Sequence, residues 1–350
     1  MGTEPKRILV IQTAFLGDVV LTTPLLSALR DRFPDAHLAV LVIPGTREIL
    51  EGGAVLNEVL VHDKKGRERG IRGILAAARR LKEKRFDLCL LPHRSFRSTV
   101  IAFLSGIPRR IGFLQSPGFF LCTRRVRWER SRHEVRRNLE LLRPLGIDPA
   151  ASSGKLWVSW DGSDSDQVDR RFSEYGIMKN DRVVGIAPGS VWATKRWTPE
   201  GFAAVVDALI ARYHRKVLLL GSRDDAPVVE AVMARCKEKP VNFAGRTTLR
   251  QLAAALKRCE LLITNDNGAM HVGAAQGVPI VAVFGSTTLG LGYGPYTDRA
   301  SVVERSLNCR PCGKHGHAKC PLGHFNCMKQ IGPEEVMEAA EKQLALNVNR

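Results

Sequence analysis

The sequence predicts an α/β protein built from two Rossmann-like domains that face a central cleft. Short apolar runs that suit buried parallel strands alternate with segments of helical spacing along the chain. The alternation occurs twice, in halves of similar size, and a stretch rich in Ser, Asp and Gly at 148–169 separates them. The 350 residues are long for one core and sufficient for two.

The first half begins with the apolar run 7–12, which predicts a buried strand. Val19, Leu25 and Leu29 then follow helical spacing, and Pro34 closes that helix. In order, the predicted elements are strand 7–12, helix 18–32, strand 37–43, strand 58–61, helix 70–84, strand 86–91, strand 109–113 and helix 134–145.

The second half repeats the alternation, and Pro199 and Pro333 each stand in the first turn of a predicted helix, where proline is favoured. Its predicted elements are strand 182–187, helix 199–213, strand 216–220, helix 226–237, strand 241–243, helix 249–258, strand 260–264, helix 268–276, strand 278–284 and helix 333–346. We therefore expect an N-terminal domain at 1–165, a C-terminal domain at 166–332 and a C-terminal helix at 333–350.

The charge is strongly positive and uneven. The net charge is +18, and residues 1–150 hold 27 Lys and Arg against 15 Asp and Glu, a net charge of +12. Ten arginines and three acids lie between Arg109 and Arg143. Because guanidinium groups bind phosphate and carboxylate in a bidentate manner, this half suits an anionic partner such as nucleic acid, anionic lipid or a phosphorylated glycan. A solvated basic surface is an equally good explanation.

The loop 13–18 follows the first predicted strand, and ligands of parallel sheets bind at such strand ends. It lacks the Gly-x-Gly-x-x-Gly fingerprint, which disfavours ordinary NAD binding. Gly17 precedes Asp18 at the start of a helix. Asp18 can complement the helix as a cap or first-turn acid, or it can accept a proton from a substrate hydroxyl. On chemistry alone, the capping role is favoured.

Two strand-end loops of the second half suit a diphosphate. In the first, Gly189 permits close backbone approach, Ser190 can donate a hydrogen bond and Lys195 supplies charge. In the second, polar residues lead into a helix whose N-terminus can bind an anion. A flexible surface loop and a well-capped helix are the corresponding structural alternatives. The second loop holds Asp266, Asn267, Gly268 and His271.

The strand 216–220 runs into a loop with two acids, Asp224 and Asp225. An acid in this position often binds ribose hydroxyls, and we select Asp225 as the candidate. A solvated acidic turn explains the pair equally well.

Four segments resemble, in the same order, the motifs of glycosyltransferase family nine, the bacterial heptosyltransferases. They are 8–24, 188–197, 264–271 and 278–285, so the resemblance spans nearly the whole chain. Within the family, segments 94–98 and 106–112 are most similar to heptosyltransferase II.

The resemblance implies a GT-B fold and inverting transfer of heptose from ADP-heptose, without a metal ion or other cofactor. It implies Asp18 as the catalytic base, which reverses the preference for a cap, and Lys195 at the leaving diphosphate. Arg94 and Arg97 are the acceptor-binding candidates. The donor-binding candidates are Gly17, Gly189, Ser190, Asp225, Asp266, Asn267, Gly268 and His271. The family often has Ser or Thr in place of Asn267, which is a mild departure.

The implied acceptor is the heptosylated Kdo-lipid A inner core of lipopolysaccharide, which receives its second heptose. This acceptor is anionic and suits the basic first half. We find no export signal and no apolar run long enough to span a bilayer, so we expect a cytoplasmic enzyme, peripheral at the inner membrane. The alternatives are a related transferase with another sugar or acceptor, and a non-catalytic nucleotide-sugar or nucleic-acid binding protein. No recognised nucleic-acid motif is present, so nucleic acid is not an expected partner.

The C-terminal part contains a cysteine-rich segment at 309–327. Cys309, Cys312, Cys320 and Cys327 form the pattern C-x2-C-x7-C-x6-C. Four thiolates suit a structural zinc or an iron–sulfur site, although the spacing is shorter than in common zinc ribbons. Similar tails occur in the family without an implied catalytic role, so we expect a structural element there.

Overall fold

The computed structural model describes residues 4–348 and divides into two compact units between Ser159 and Trp160. The sequence-based boundary at 165/166 falls within the helix Gly162–Glu174, which belongs to the second unit. None of the helices in the described range is both long and apolar enough to span a bilayer.

The first unit contains a sheet of six parallel strands in the order β3-β2-β1-β4-β5-β6. Leu9, Ile11 and Cys89 lie in its apolar core, as expected for parallel strands covered on both faces. The strands are β1 (Arg7–Ile11), β2 (His37–Val42), β3 (Glu58–Val61), β4 (Leu88–Leu91), β5 (Arg109–Phe113) and β6 (Arg124–Val126).

The helices of the first unit differ from the prediction at its first crossover. The sequence predicts one helix at 18–32, but the structure has two, because the chain turns at Leu21 and Thr22 and Pro24 opens a new helix. The Thr22 hydroxyl donates to the Asp18 carbonyl at 2.8 Å and stabilises the turn. The helices are α1 (Leu16–Val20), α2 (Thr23–Arg32), α3 (Gly70–Glu83), α4 (Phe96–Leu104) and α5 (Glu134–Glu140).

The second unit repeats the strand order of the first. Its six strands are parallel, in the order β12-β11-β10-β7-β8-β9. Counted from the start of each unit, both orders are 3-2-1-4-5-6, the dinucleotide-binding order. The strands are β7 (Val183–Ala187), β8 (Lys216–Leu219), β9 (Val241–Asn242), β10 (Cys259–Asn265), β11 (Ile280–Phe284) and β12 (Ala300–Glu304).

The helices of the second unit flank this sheet. They are α6 (Gly162–Glu174), α7 (Pro199–Ala211), α8 (Ala226–Met233), α9 (Leu249–Lys257), α10 (Gly268–Gln276), α11 (Asn326–Lys329) and α12 (Pro333–Val348). Val336 and Ala340 of α12 are buried in the same core as Ile263 and Val283 of the sheet. The C-terminal helix therefore completes the core of the second unit.

Each sheet has one point where the strand order reverses direction. It lies between β1 and β4 in the first unit and between β7 and β10 in the second. Loops that leave the carboxyl ends of such strands form the binding crevice of an open α/β sheet. The loops that leave these strands are 12–15 and 92–95 in the first unit, and 188–192 and 266–267 in the second.

Candidate active site

Asp18 lies in the first turn of α1, just beyond the carboxyl end of β1. It does not cap the helix, because the N-cap position belongs to Phe15, which makes no side-chain cap hydrogen bond. Its main-chain carbonyl accepts hydrogen bonds from Thr22 and Gln12. The structure thus places Asp18 in the first turn of the helix, as an acid that complements its N-terminus, and not at the N-cap position.

Lys64 follows β3 and is a residue that sequence analysis did not select. Its ammonium group donates a 2.5 Å hydrogen bond to the carbonyl of Thr13, in the loop that leads to Asp18. Burial lowers the pKa of Lys64, and the charges of Lys65 and Arg97 lower it further, whereas attraction to Asp18 acts in the opposite direction. A half-buried cation therefore lies within electrostatic range of the candidate base.

The loops after β1 and β4 are joined by side chains. The Thr13 hydroxyl is 3.3 Å from Nδ1 of His93 and 3.3 Å from the hydroxyl of Ser98. Both loops lie at the switch point of the first sheet. The sequence signal for these residues is a polar residue soon after each buried strand, as at Thr13 and His93.

Arg94 and Arg97 lie at the carboxyl end of β4, one in the loop and one in the first turn of α4. The guanidinium carbon of Arg94 stacks 3.8 Å from the ring centroid of Trp128, which buried Arg137 also contacts at 4.3 Å. Arg97 donates to the carbonyl of Glu68 at 3.4 Å. Stacking uses the flat face of Arg94 and leaves its in-plane N–H groups suited to bind an anion.

The second unit holds Lys195 in a buried ion pair. Its ammonium group is 2.6 Å from Oδ2 of Asp266, and the side chains are only 14% and 6% exposed. The Thr287 hydroxyl donates to the same oxygen at 2.7 Å. Asp266 therefore orients Lys195, and Thr287, which sequence analysis missed, supports it from the loop after β11.

Asn267 caps α10 and ties it to the neighbouring strand end. Its side-chain oxygen accepts the N–H of Met270 at 3.1 Å, and its amide nitrogen donates to the carbonyls of Gly189 and Ala187. The side chain is thus engaged in the scaffold, and a nucleotide would compete with these bonds. The backbone from Gly268 onwards begins the helix and supplies the anion-binding N–H groups.

Asp225, the candidate for ribose binding, lies against Gly189. Its loop therefore belongs to the same group of loops. A Cβ atom at Gly189 would come within 2.2 Å of the Asp225 carboxylate, which explains why glycine is needed. The carboxylate also accepts the N–H and hydroxyl of Ser222 at 2.9 and 2.7 Å. Ser190 is buried beside this loop, with its hydroxyl 3.5 Å from the carbonyl of Asp266.

Trp197 anchors the segment that carries Lys195. The indole is fully buried, its N–H donates to the carbonyl of Ile331, and its main-chain N–H donates to Asn265. The ring packs edge-on against Phe202 with centroids 5.0 Å apart. This packing explains the Lys-x-Trp spacing. His271 is buried in the second turn of α10.

The cysteine-rich segment contacts these loops through Arg310 and His317. The Arg310 guanidinium donates to the carbonyls of Gly285 and Thr287 and pairs with Glu304. The backbone of His317 exchanges hydrogen bonds with Thr194, next to Lys195. The segment therefore clamps the loop after β11 to the segment that carries Lys195.

The four cysteines do not form a metal site in the structure. Across residues 4–348, no group of three or more His, Cys, Asp or Glu side chains is arranged to hold a metal ion. Burial raises the pKa of Cys327 to about 11. Burial also acts to raise the pKa of Cys320, but backbone N–H groups, led by that of Phe325, outweigh it and lower the value. Among the described residues, the structure thus shows no assembled site for the zinc considered from spacing.

The fold and these loops define the class of the protein. A largely buried lysine beside a helix N-terminus at a Rossmann switch point suits a phosphate group, so this is a nucleotide-binding type of α/β protein with two Rossmann folds.

Comparison with known proteins identifies the family. The model of "Glycosyltransferase family 9 (heptosyltransferase)" matches residues 74–322, and the chain belongs to this family. A solved family 9 glycosyl transferase from Veillonella parvula is 33% identical, with a TM-score of 0.89 over 99% of both chains. The protein is therefore a glycosyltransferase.

Two further relatives are heptosyltransferases. Lipopolysaccharide heptosyltransferase 2 of Escherichia coli K12 is 26% identical over 95% of this chain and 97% of its own length. The structure of E. coli ADP-heptose lps heptosyltransferase II is 23% identical, with a TM-score of 0.77 over 97% of this chain and 99% of that one. These findings confirm the predicted family and the α/β, GT-B class of fold.

Proposed function

We propose that this chain transfers heptose from ADP-heptose to the heptosylated Kdo-lipid A core of lipopolysaccharide, with inversion and without a metal ion. The observation that carries the proposal is the buried Lys195–Asp266 pair just before the N-terminus of α10, where a diphosphate would be held. Family membership supplies the transfer reaction, and the similarity to lipopolysaccharide heptosyltransferase 2 supports the second heptose as the product.

The leaving diphosphate gains negative charge as the bond to the anomeric carbon breaks. Asp266 orients Lys195. The N–H groups at the start of α10 follow Asp266 closely in the sequence, because the helix begins at Gly268. Preorganised donors of this kind stabilise such charge and are worth about 100- to 1,000-fold in rate each. These groups can accept the charge of ADP without a metal ion.

The attacking group is a hydroxyl of the acceptor heptose. Asp18 accepts its proton, the oxygen forms a bond to the anomeric carbon, and ADP leaves from the opposite face, which inverts the configuration. Lys64 supports this role because it binds the Thr13 carbonyl of the same loop and attracts Asp18.

An anionic acceptor fits the basic groups of the first unit. Arg94 stacks on Trp128, and Arg97 lies within electrostatic range of Lys64. Because guanidinium and ammonium groups bind phosphate and carboxylate, these three cations suit a phosphorylated, acidic sugar core. The acceptor is a lipid, so we place the enzyme peripherally at the cytoplasmic face of the inner membrane.

The test is ADP release from ADP-heptose, with and without a mono-heptosylated Kdo-lipid A acceptor. We expect acceptor-dependent release that Asp18→Asn lowers by at least about 1,000-fold, because the general base is lost. Asp35→Asn is the matched control, since Asp35 is exposed and precedes β2. Normal turnover by Asp18→Asn would exclude it as the base. Donor binding without release would require a different acceptor.

A further inference from the structure

Exposed apolar side chains of the first unit lie together beside α4. Phe96 and Phe120 are 54% and 62% exposed, and Phe103, Leu104 and Phe119 are also exposed. We call these five residues the aromatic patch. Phe96 and Phe103 are separated by seven residues on α4 and therefore share one helix face. Phe119 and Phe120 stand in the short helical turn between β5 and β6.

Contacts between these segments show that the patch is continuous. A Cβ atom at Gly118 would be 3.0 Å from the Phe96 ring, so the turn carrying Phe119 packs on α4. The rings of Phe119 and Phe120 contact edge to face at 5.9 Å. Arg110 connects the other end of α4 to the same turn. Its guanidinium carbon lies 5.4 Å from the ring centroid of Phe103, and its side chain donates to the carbonyl of Leu121 at 2.8 Å.

The segment of sequence that carries the patch has charges of one sign. Residues 88–128 contain seven arginines, no lysine and no Asp or Glu. Arg125 lies over the Phe119 ring at 5.6 Å and donates to the carbonyl of Phe119 at 3.1 Å. Arg124 and Arg127 are exposed on or just after the same edge strand, β6. Exposed aromatic rings among arginines thus occur without a nearby acid in the sequence.

We propose that the aromatic patch and Arg125 form a docking surface for an anionic phospholipid bilayer. Aromatic rings favour the interface between water and lipid, and basic groups are attracted to anionic headgroups. A protein partner would need acidic groups at matching positions, whereas a bilayer presents negative charge everywhere. Exposed apolar side chains that lie together in this way mark interaction sites.

The position of the patch gives the docking surface a role in acceptor binding. This role rests on the proposed function. Phe96 is two residues from Arg94 and adjacent to Arg97, the candidates for the acceptor. A bilayer bound at Phe96 would hold a lipid-anchored acceptor close to these arginines. The surface thus accounts for capture of a substrate that does not leave the membrane.

The test measures flotation of the full chain with vesicles, without donor or acceptor. We expect binding to phosphatidylcholine vesicles that contain roughly one third anionic phosphatidylglycerol, and little binding to pure phosphatidylcholine. Phe120→Ser should lower the affinity about tenfold, because an exposed aromatic group is lost. Arg125→Glu should lower it at least about fivefold and weaken its dependence on salt.

Matched controls come from α3 of the same unit. Ile71 is 76% exposed and Arg72 is exposed, and both lie outside the patch. Ile71→Ser and Arg72→Glu should bind vesicles like the parent protein. Equal loss in these controls, or no loss in Phe120→Ser and Arg125→Glu, would overturn the proposal. Dimerisation without vesicles that Phe120→Ser abolishes would assign the patch to a second copy instead.

Turnover separates this proposal from the proposed function. Phe120→Ser should retain parental activity on a deacylated, water-soluble acceptor and lose activity on an acceptor embedded in vesicles. If the parent binds vesicles but transfers no heptose, the docking surface stands and the function fails. If transfer occurs but the parent protein does not bind anionic vesicles, the proposal of a docking surface is wrong. A melting temperature unchanged in Phe120→Ser excludes misfolding as the cause.

Discussion

Lys195 illustrates how the position of a positive charge can be fixed before an anionic ligand binds. Its partner Asp266 accepts two hydrogen bonds on one carboxylate oxygen, from Lys195 and from Thr287. A buried charge must be paired and hydrogen-bonded to be tolerated. The pair also reduces the motion of the ammonium group, so little reorganisation is needed when the diphosphate of a donor binds.

Thr287→Val tests this arrangement. Valine retains the shape of threonine but lacks the hydroxyl. Asp266 therefore loses the hydrogen bond from residue 287 that helps to fix its carboxylate beside Lys195. A hydrogen bond to a charged group contributes about 1.5–3 kcal/mol, so we expect kcat/KM for ADP-heptose to fall by at least about tenfold. Thr288→Val is the matched control, because the neighbouring Thr288 makes no side-chain cap hydrogen bond. Equal kinetics for the two variants would contradict a positioning role.

At the scale of secondary-structure elements, sequence patterns were sufficient to predict some strands and helices but not others. Strand β3 and helix α10 were predicted at their observed bounds, because each is a clear apolar run between polar turns. The sequence did not predict α4, β6 or β12, which are short or covered by residues distant in the chain. The break at Thr22 was missed because helical spacing continues across it.

The candidate site was predicted to a similar extent. Motifs selected Lys195, Asp266 and Asn267, and the structure brings them together at one end of the second sheet. Thr287 and Lys64 were missed, because their roles depend on loops from distant strands that meet only after folding. Threonine and lysine are common in loops, so only their positions in the folded structure identify these two residues.

The cysteine-rich segment acts as an element that connects two loops of the second unit. Arg310 is nearly buried, binds the carbonyls of Gly285 and Thr287, and pairs with Glu304. The loop it holds carries the Thr287 hydroxyl that contacts Asp266. The segment can therefore affect Lys195 through packing, without contact to substrate.

Arg310→Ala should disturb both stability and donor use. Loss of the guanidinium leaves partly buried carbonyls without a donor, so we expect the free energy of unfolding to fall by about 2 kcal/mol. The KM for ADP-heptose should rise more than kcat falls, and Arg310→Lys should restore part of the loss through its pairing with Glu304. Lys314→Ala, at an exposed site of the same segment, is the control. Steady-state kinetics and chemical denaturation measure both effects.

At the scale of the whole molecule, the two units use one topology for different purposes. Both sheets have the order 3-2-1-4-5-6, yet the switch point of the first is surrounded by Lys64, Arg94 and Arg97, whereas that of the second has Lys195 paired with Asp266. The net charge of +12 in residues 1–150 follows the same division. We infer that the nucleotide and the acidic acceptor are assigned to different sheets.

This division predicts how ADP changes thermal stability. A ligand at about 100 times its Kd stabilises the folded state by about 2.7 kcal/mol, which corresponds to a rise in Tm of several degrees, roughly 5 °C. Asp18→Asn should keep the parental rise, because Asp18 lies in the first unit and its proposed role is to act on the acceptor. Lys195→Ala should show a clearly smaller rise than the parent protein, because the proposed contact between its charge and the diphosphate is lost. Thermal scans with and without ADP measure each rise separately, so a lower starting Tm in Lys195→Ala does not affect the comparison. Loss of the rise in Asp18→Asn would mean that both groups serve the nucleotide, and Asp18 would then lose its assignment as the base.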